Sequence, residues 1–242
     1  MRTIRIYQPG TYEPGQTLEL SPQASRHVGT VLRMIPGEVL TLFCGDNREF
    51  SATIASVHKH QVTAHIDDVH PINRESPRAI HLAQALSKGD RMDWVVQKAV
   101  ELGVTSIIPV WTAHCAIRRD SDKLAKKQAQ WQAIAVSACE QSGRNQVPVI
   151  HEVCSLPAYL EQCNSSSKYL SSPKGAESWR NLSLPEGDIA LLIGPEGGLS
   201  HEEVALARTY QFIPLSLGPR ILRTETAALV SLSVLQAIFG DV

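Results

Sequence analysis

Two short segments near the C-terminal end combine residues that can hold a small molecule. Gly194-Pro195-Glu196-Gly197-Gly198 follows the apolar run Ile189–Ile193, and Gly218-Pro219-Arg220 follows the apolar run from Phe212 to Leu217. Glycine lets the backbone approach a ligand without a Cβ in the way, and proline stiffens the loop by fixing φ. A helix start follows each loop: Ser200 with Glu203 three residues on has the pattern of a capping box, and another helix begins around Thr224-Glu225-Thr226. In an open α/β sheet, ligands sit on loops at the carboxyl ends of strands. The two loops therefore read as walls of one small-molecule site, although each alone would pass for an ordinary strand-to-helix turn. Neither is a phosphate-binding P-loop, since no Gly-Lys-Ser/Thr follows, and the glycine spacing is not that of a dinucleotide fingerprint.

Other charged groups admit two readings each. Arg26, His27 and Arg33 suit phosphate contacts or a solvated helix face. Lys88, Arg91 and Lys98 suit RNA or solvent in the same way, and His114, Arg118 and Arg119 share a loop. Glu140, Gln141, Arg144 and Asn145 gather where a long helix ends, either as capping chemistry with a cation near the helix C-terminus or as part of a site. His58, His60, His65 and His70 lack a cysteine or carboxylate at metal-ligand spacing, so no metal is expected. The five cysteines form no CxxC pair, which fits reduced thiols and a cytoplasmic location. The first residues lack the apolar core of a signal peptide, and no apolar run approaches the ~20 residues that span a bilayer. A net charge of −1 supplies no global field for nucleic acid, so any RNA contact must use local patches.

The elements that must position these groups change character along the 242 residues. The first part reads as a compact β-rich barrel: short strands near Ile4–Tyr7 and Thr17–Leu20, a helix opened by Ser21-Pro22, and a meander over residues 38–69 with a turn at Gly45-Asp46-Asn47. Residues 70–77 carry two prolines and read as a linker. Strands and helices alternate beyond it, which argues for a parallel sheet. Ile80–Leu86 predicts its first strand, with Asp90 as the cap of a helix whose stripe is Met92, Val95, Val96, Ala99 and Val100. Ser106–Trp111 and Val147–Val153 predict further strands.

Four separated motifs carry a family resemblance: LLIGPEGG, LGPRILRTETA, KGDRMDWVVQKAVELGV and ACEQSGRNQVP. Together they resemble the bacterial 16S ribosomal RNA uridine-N3 methyltransferase family, RsmE, of the SPOUT class of S-adenosylmethionine enzymes. RHVGTVLRMIPGEVLTLFCG resembles that family's PUA-like domain. The resemblance implies an α/β fold, with a small PUA-like β-barrel over residues 1–72 and a parallel-sheet domain over 73–242 that closes in a trefoil knot. It implies a homodimer, with 16S rRNA in the small ribosomal subunit as partner and methylation of one uridine on the assembled subunit. S-adenosyl-L-methionine would lie against Ile193, Gly194, Pro195, Glu196, Gly197 and Gly198 on one loop, and Leu215, Leu217, Gly218, Ile221, Leu222, Thr224 and Ala227 on the other. Leu170 would open a third loop, where Tyr-Leu-Ser-Ser-Pro departs from the family's His-Pro. Arg223, Arg220 or Arg144 would stabilise charge on the uracil and Glu225, Glu140 or Glu196 take its proton, with the choice left open by the sequence. Arg223 and Glu225 could equally form a structural pair. Arg26, Arg33, Lys88, Arg91, Arg118 and Arg220 would contact RNA. A SPOUT enzyme with another RNA target and a non-catalytic RNA-binding assembly factor are the competing readings.

Overall fold

The computed structural model describes residues 4–59, 61–115, 121–172, 177–182 and 187–242. Arg118 and Pro173 lie outside the described residues. Contacts group the chain into two units: residues 1–75 with 139–147, and residues 76–138 with 148–242. The first unit thus takes in a second stretch of chain beyond the 1–72 expected. Side-chain bonds explain this. Arg5 Nη2 donates to Asn145 Oδ1 at 2.7 Å and to the Arg144 carbonyl at 3.1 Å, and Asn145 Nδ2 donates to the Ile72 carbonyl at 2.7 Å.

The first unit holds β1 (Arg5–Tyr7), β2 (Thr17–Glu19), α1 (Pro22–Arg26), β3 (Val39–Phe43), β4 (Arg48–His58) and β5 (Gln61–Pro71). The sheet order is β1-β3-β4-β5-β2, with β1 parallel to β3 and the other pairs antiparallel. Two register shifts between β4 and β5, at Ser51/Ala52 and Ile54/Ser56, bend the long pair. α1 starts where Ser21 Oγ accepts from the Ala24 N–H, and its Ala24 and, just beyond it, Val28 are buried with Leu40, Phe50, Ile54 and Ile66. His70 and Pro71, read as linker, instead close β5, because Glu49 and Arg48 pair with them.

The second unit holds β6 (Ile80–Ala85), α2 (Arg91–Glu101), β7 (Ser106–Trp111), most of α3 (Ser121–Ser142), β8 (Val149–Ile150), β9 (Cys154–Ser155), α4 (Leu156–Gln162), β10 (Ser167–Ser171), β11 (Glu177–Ser178), β12 (Ile189–Ile193), α5 (His201–Thr209), β13 (Ile213–Ser216) and α6 (Thr224–Phe239). Its strands pair in parallel in the order β11-β13-β10-β12-β6-β7-β8, with β9 also on β7. All five residues of β12 are buried, as a strand covered on both faces requires. The strand expected over Val147–Val153 is only two residues long; Gln132 Oε1 accepts from the Ile150 N–H. Asp90 precedes α2 as expected but makes no side-chain cap bond.

Candidate active site

Because β10, β12 and β13 are adjacent and parallel, their carboxyl ends face one edge of the sheet. The loops leaving them enclose a cavity of about 930 Å³, near the upper end of the usual range for small-molecule sites. Leu170, Ile193, Gly194, Pro195, Glu196, Gly197, Gly198, Leu217, Gly218, Ile221, Leu222, Thr224 and Ala227 all line it. Leu215 does not: it is 1 % exposed within β13, paired with Ser171 and Glu177.

The glycines serve the cavity shape. Gly218 has φ +117°, a conformation open to glycine. A Cβ on Gly197 would lie 3.0 Å from His114 Cβ, and one on Gly194 would lie 3.2 Å from the Leu199 backbone nitrogen. His114 Nδ1 bonds the Gly198 carbonyl at 3.0 Å, which requires the ring proton on Nδ1. The capping box of α5 forms in full: Ser200 Oγ accepts from the Glu203 N–H at 3.2 Å, and Glu203 Oε2 accepts from the Ser200 N–H at 2.8 Å. Glu203 Oε1 also accepts from the Ala113 N–H at 2.7 Å, so one carboxylate holds two loops.

One buried relay joins the loop after β12 to α6. Gln84, 0 % exposed in β6, donates through Nε2 to Thr224 Oγ1 at 3.0 Å, and Thr224 Oγ1 donates to the Gly194 carbonyl at 2.6 Å. Thr224→Val removes both bonds while keeping the shape. We expect a loss of about 1–3 kcal/mol in stability from the orphaned partners, read as a lower thermal midpoint, together with weaker ligand binding.

Glu196 ties the same loop to the start of α2. Its Oε1 accepts from the Lys88 N–H at 3.1 Å and from Arg91 Nη1 at 2.5 Å. Burial alone would push the Glu196 carboxyl up; its own N–H, the Lys88 N–H and the Arg91 guanidinium outweigh that and hold it below the ordinary value of 4.5. A depressed carboxylate contributes stability that is present above the ordinary value and is lost as pH falls through the folded one. The stability that these ties contribute should therefore hold from pH 7 down to the ordinary carboxylate value of 4.5 and be lost only below it, and thermal melts across that range, repeated with Glu196→Gln, would check it.

Arg223 and Glu225 both line the cavity, as does Arg220. Glu225 Oε1 lies 3.8 Å from Arg91 Nε, and among the described residues Glu225 Oε2 is buried without a hydrogen-bond partner. Glu140 and Arg144 belong to the first unit and are not among the cavity residues. Glu140 Oε1 accepts from the Tyr7 N–H at 3.0 Å. Burial raises the Glu140 carboxyl, against the lowering effect of that N–H, His27 and Arg5. Arg144 donates from Nε to Glu75 Oε2 at 3.0 Å and pairs with it again through Nη2. Of the basic groups read as RNA contacts, Arg26, Arg33, Lys88 and Arg220 are exposed and Arg91 is half-buried in its ties to Glu196 and Glu225.

His201, Val204, Ala205 and Arg208 also line the cavity. They occupy positions i, i+3, i+4 and i+7 of α5, a single face. The capping box dates the helix start to Ser200, so this face was deducible from the sequence once one side of α5 was assigned to the loop. Ser171 and Ser172 complete the wall after β10. Among the described residues the lining holds four arginines, Arg91, Arg208, Arg220 and Arg223, against two glutamates, Glu196 and Glu225. Such a wall suits an anionic substrate. Among the described residues no three His, Cys, Asp or Glu side chains gather as metal ligands, and no helix is long and apolar enough to cross a membrane.

Comparison with known proteins bears on this geometry. The RNA methyltransferase domain family matches residues 74–236, and the RNA methyltransferase PUA domain matches residues 20–67. Ribosomal RNA small subunit methyltransferase E of Buchnera aphidicola is 36% identical over 241 residues, covering 99% of this chain and 98% of that one. Its counterpart in Bacillus subtilis is 35% identical, covering 92% and 91%. A crystal structure of the Neisseria gonorrhoeae enzyme of that name, bound to S-adenosyl methionine, superposes with a TM-score of 0.93 at 39% identity, with 99% of each chain covered. With full-length relatives at this identity and a PUA domain ahead of a parallel sheet, the chain belongs to the ribosomal RNA small subunit methyltransferase E family.

Proposed function

We propose that the protein transfers a methyl group from S-adenosylmethionine to N3 of one uridine in 16S ribosomal RNA. The observation that carries this reading is the cavity built by three adjacent loops, with Arg223 and Glu225 on its wall. Its relatives of the same shape support the donor, since the Neisseria gonorrhoeae structure holds S-adenosyl methionine. The chain's residues fit such a donor: backbone amides and carbonyls of two glycine-rich loops for an adenine edge, apolar Leu170, Ile193, Leu217 and Leu222 for its faces.

When bound, S-adenosylmethionine supplies an electrophilic methyl on a sulfonium, so the sulfur–carbon bond breaks as the N3–carbon bond forms and S-adenosylhomocysteine leaves. The protein must hold the base in line and remove the N3 proton, because that nitrogen's lone pair is otherwise delocalised into the imide. Arg223 is our candidate to stabilise the charge that develops on the uracil oxygens. Glu225 is our candidate to receive the proton, because it lines the cavity beside Arg223. Arg144 and Glu140 stay as proposals for the same chemistry, and Arg26, Arg33, Lys88, Arg118 and Arg220 as proposals for RNA contacts.

We further propose that the enzyme is a cytoplasmic homodimer that acts on the assembled small subunit, and that its C-terminal segment is knotted. Support for the knot is the strand order: the chain passes from β10 to β12 and then returns across β10 to form β13. To test the function, purified protein and S-adenosylmethionine carrying a labelled methyl are incubated with small subunits lacking the modification and with naked 16S RNA. Nucleoside mass spectrometry should find one 3-methyluridine per subunit and little on free RNA. Label on a ribose, on another base or nowhere defeats the assignment, and equal turnover on naked RNA defeats the preference for assembled subunits. Light scattering on the purified protein checks the dimer.

A further inference from the structure

A second hollow, of about 720 Å³, lies beside the first and is walled by Lys88, Gly89, Asp90, Arg91, Trp94, Arg223, Glu225 and Thr226. Arg91, Arg223 and Glu225 line both spaces, so the two share a wall. Among the described residues Trp94 is the one aromatic side chain in the second hollow, and it is 44% exposed. It sits one turn after Arg91, on the same face of α2. The stripe that anchors α2, Met92, Val95, Val96, Ala99 and Val100, is buried without it. The indole is therefore not needed to seat the helix, and its other neighbours in the hollow are mostly charged or polar.

A large aromatic face beside cations is a chemically specific arrangement. A flat, uncharged heterocycle can stack on the indole, while an attached phosphate meets Lys88, which is exposed at the rim. A ring seated there would turn an edge toward Arg223 and Glu225, the shared wall, with the first cavity on their far side. A base must leave its helix to reach an enzyme's reacting atoms, and an unstacked base needs a replacement stacking partner. We infer that this second hollow is the seat of the extruded uracil and that Trp94 is its stacking platform. The inference deepens the proposed function and rests on it.

The test compares wild type with Trp94→Ala and Trp94→Phe. Loss of a stacked base should lower kcat/KM for the small subunit roughly 10- to 100-fold in Trp94→Ala, mostly through KM, while Trp94→Phe keeps activity within about fivefold. Affinity for S-adenosylmethionine, measured by calorimetry, should be the same in all three. Titration with uridine monophosphate should quench tryptophan emission of the wild type more than that of Trp94→Phe, a readout that survives if Trp94→Ala does not fold. Unchanged kcat/KM in Trp94→Ala, or equal quenching in wild type and Trp94→Phe, overturns the inference. So does a parallel loss of donor affinity, which would make Trp94 a structural support, or a change in the number of associated copies, which would place it in a contact between chains. If wild-type protein puts no methyl on uracil at all, the proposed function itself has failed, whatever Trp94 does.

Discussion

Arg223→Ala should keep its fold and its affinity for the methyl donor and lose methyl transfer by roughly 10²–10³-fold in kcat. The structure explains why the two effects separate. Arg223 precedes α6 as its cap residue, but its side chain makes no cap hydrogen bond. Arg223 is exposed and, among the described residues, is found in no ion pair. Removing it leaves no buried charge and orphans no acceptor, so the thermal midpoint should stay within a few degrees. Its backbone carbonyl, which accepts from the Ala227 N–H at 2.8 Å, is retained in alanine. What is lost is a fixed positive group on the shared wall of both hollows, where negative charge builds on the base only as the proton leaves. Arg223→Lys should recover a fraction of the rate, because the charge returns without the planar fork. Single-turnover kinetics with saturating donor, set beside calorimetric donor affinities, would read the split. A drop below about threefold would remove Arg223 from the chemistry.

Arg144→Ala should behave in the opposite way, with stability falling by about 3–5 kcal/mol. The Arg144 side chain is 6% exposed and its partner Glu75 is 15% exposed, so the pair is largely withdrawn from water. Taking away the cation strands the Glu75 carboxylate in that setting, which is the expensive half of breaking a buried pair. The neighbouring bonds make the site cooperative: the Gln146 N–H donates to Glu75 Oε1 at 3.3 Å, and Arg74 Nη1 donates to the Gly143 carbonyl at 2.9 Å while pairing with Glu49. Thermal melts should show a midpoint lower by roughly 6–20 °C, from ~2–4 °C per kcal/mol at this chain length. The double replacement Arg144→Met with Glu75→Leu should recover most of the loss, since neither charge is then left alone. If Arg144→Ala instead melts like the wild type and loses only turnover, its role is chemical, and the catalytic proposal for Arg144 gains over the structural one.

These two arginines were legible to different degrees. Both stand in polar clusters at a helix end, and the sequence alone offers no reason to separate them. Their difference comes from a partner 69 residues away for Arg144 and, among the described residues, from the lack of a side-chain cap bond for Arg223. The linker reading of His70 and Pro71 failed for a related reason: proline marks a break locally, yet a place opposite Arg48 at the end of β5, beyond the residues that β2 pairs, lets it close a strand.

The local rules acted through nearest neighbours. Ser21, Ser155 and Ser200 cap helices because their hydroxyls reach an amide three residues on, and that distance is set by spacing alone. The buried run Ile189–Ile193 and the Gly-Pro loops after it and after β13 are likewise written in consecutive residues, so the two walls of the cavity were readable in advance. Strand order is not local. β10 carries only Tyr169 and Leu170 as buried residues, too few for a distinctive pattern, and its place between β12 and β13 depends on backbone pairing with strands that follow it in the chain. Only that pairing brings Leu170, Ser171 and Ser172 to the cavity and buries Leu215 beneath it. Composition and spacing thus specified the loops and caps, whereas long-range hydrogen bonding decided which loops share a site, because a parallel neighbour is chosen by the whole sheet and leaves no mark on the residues between.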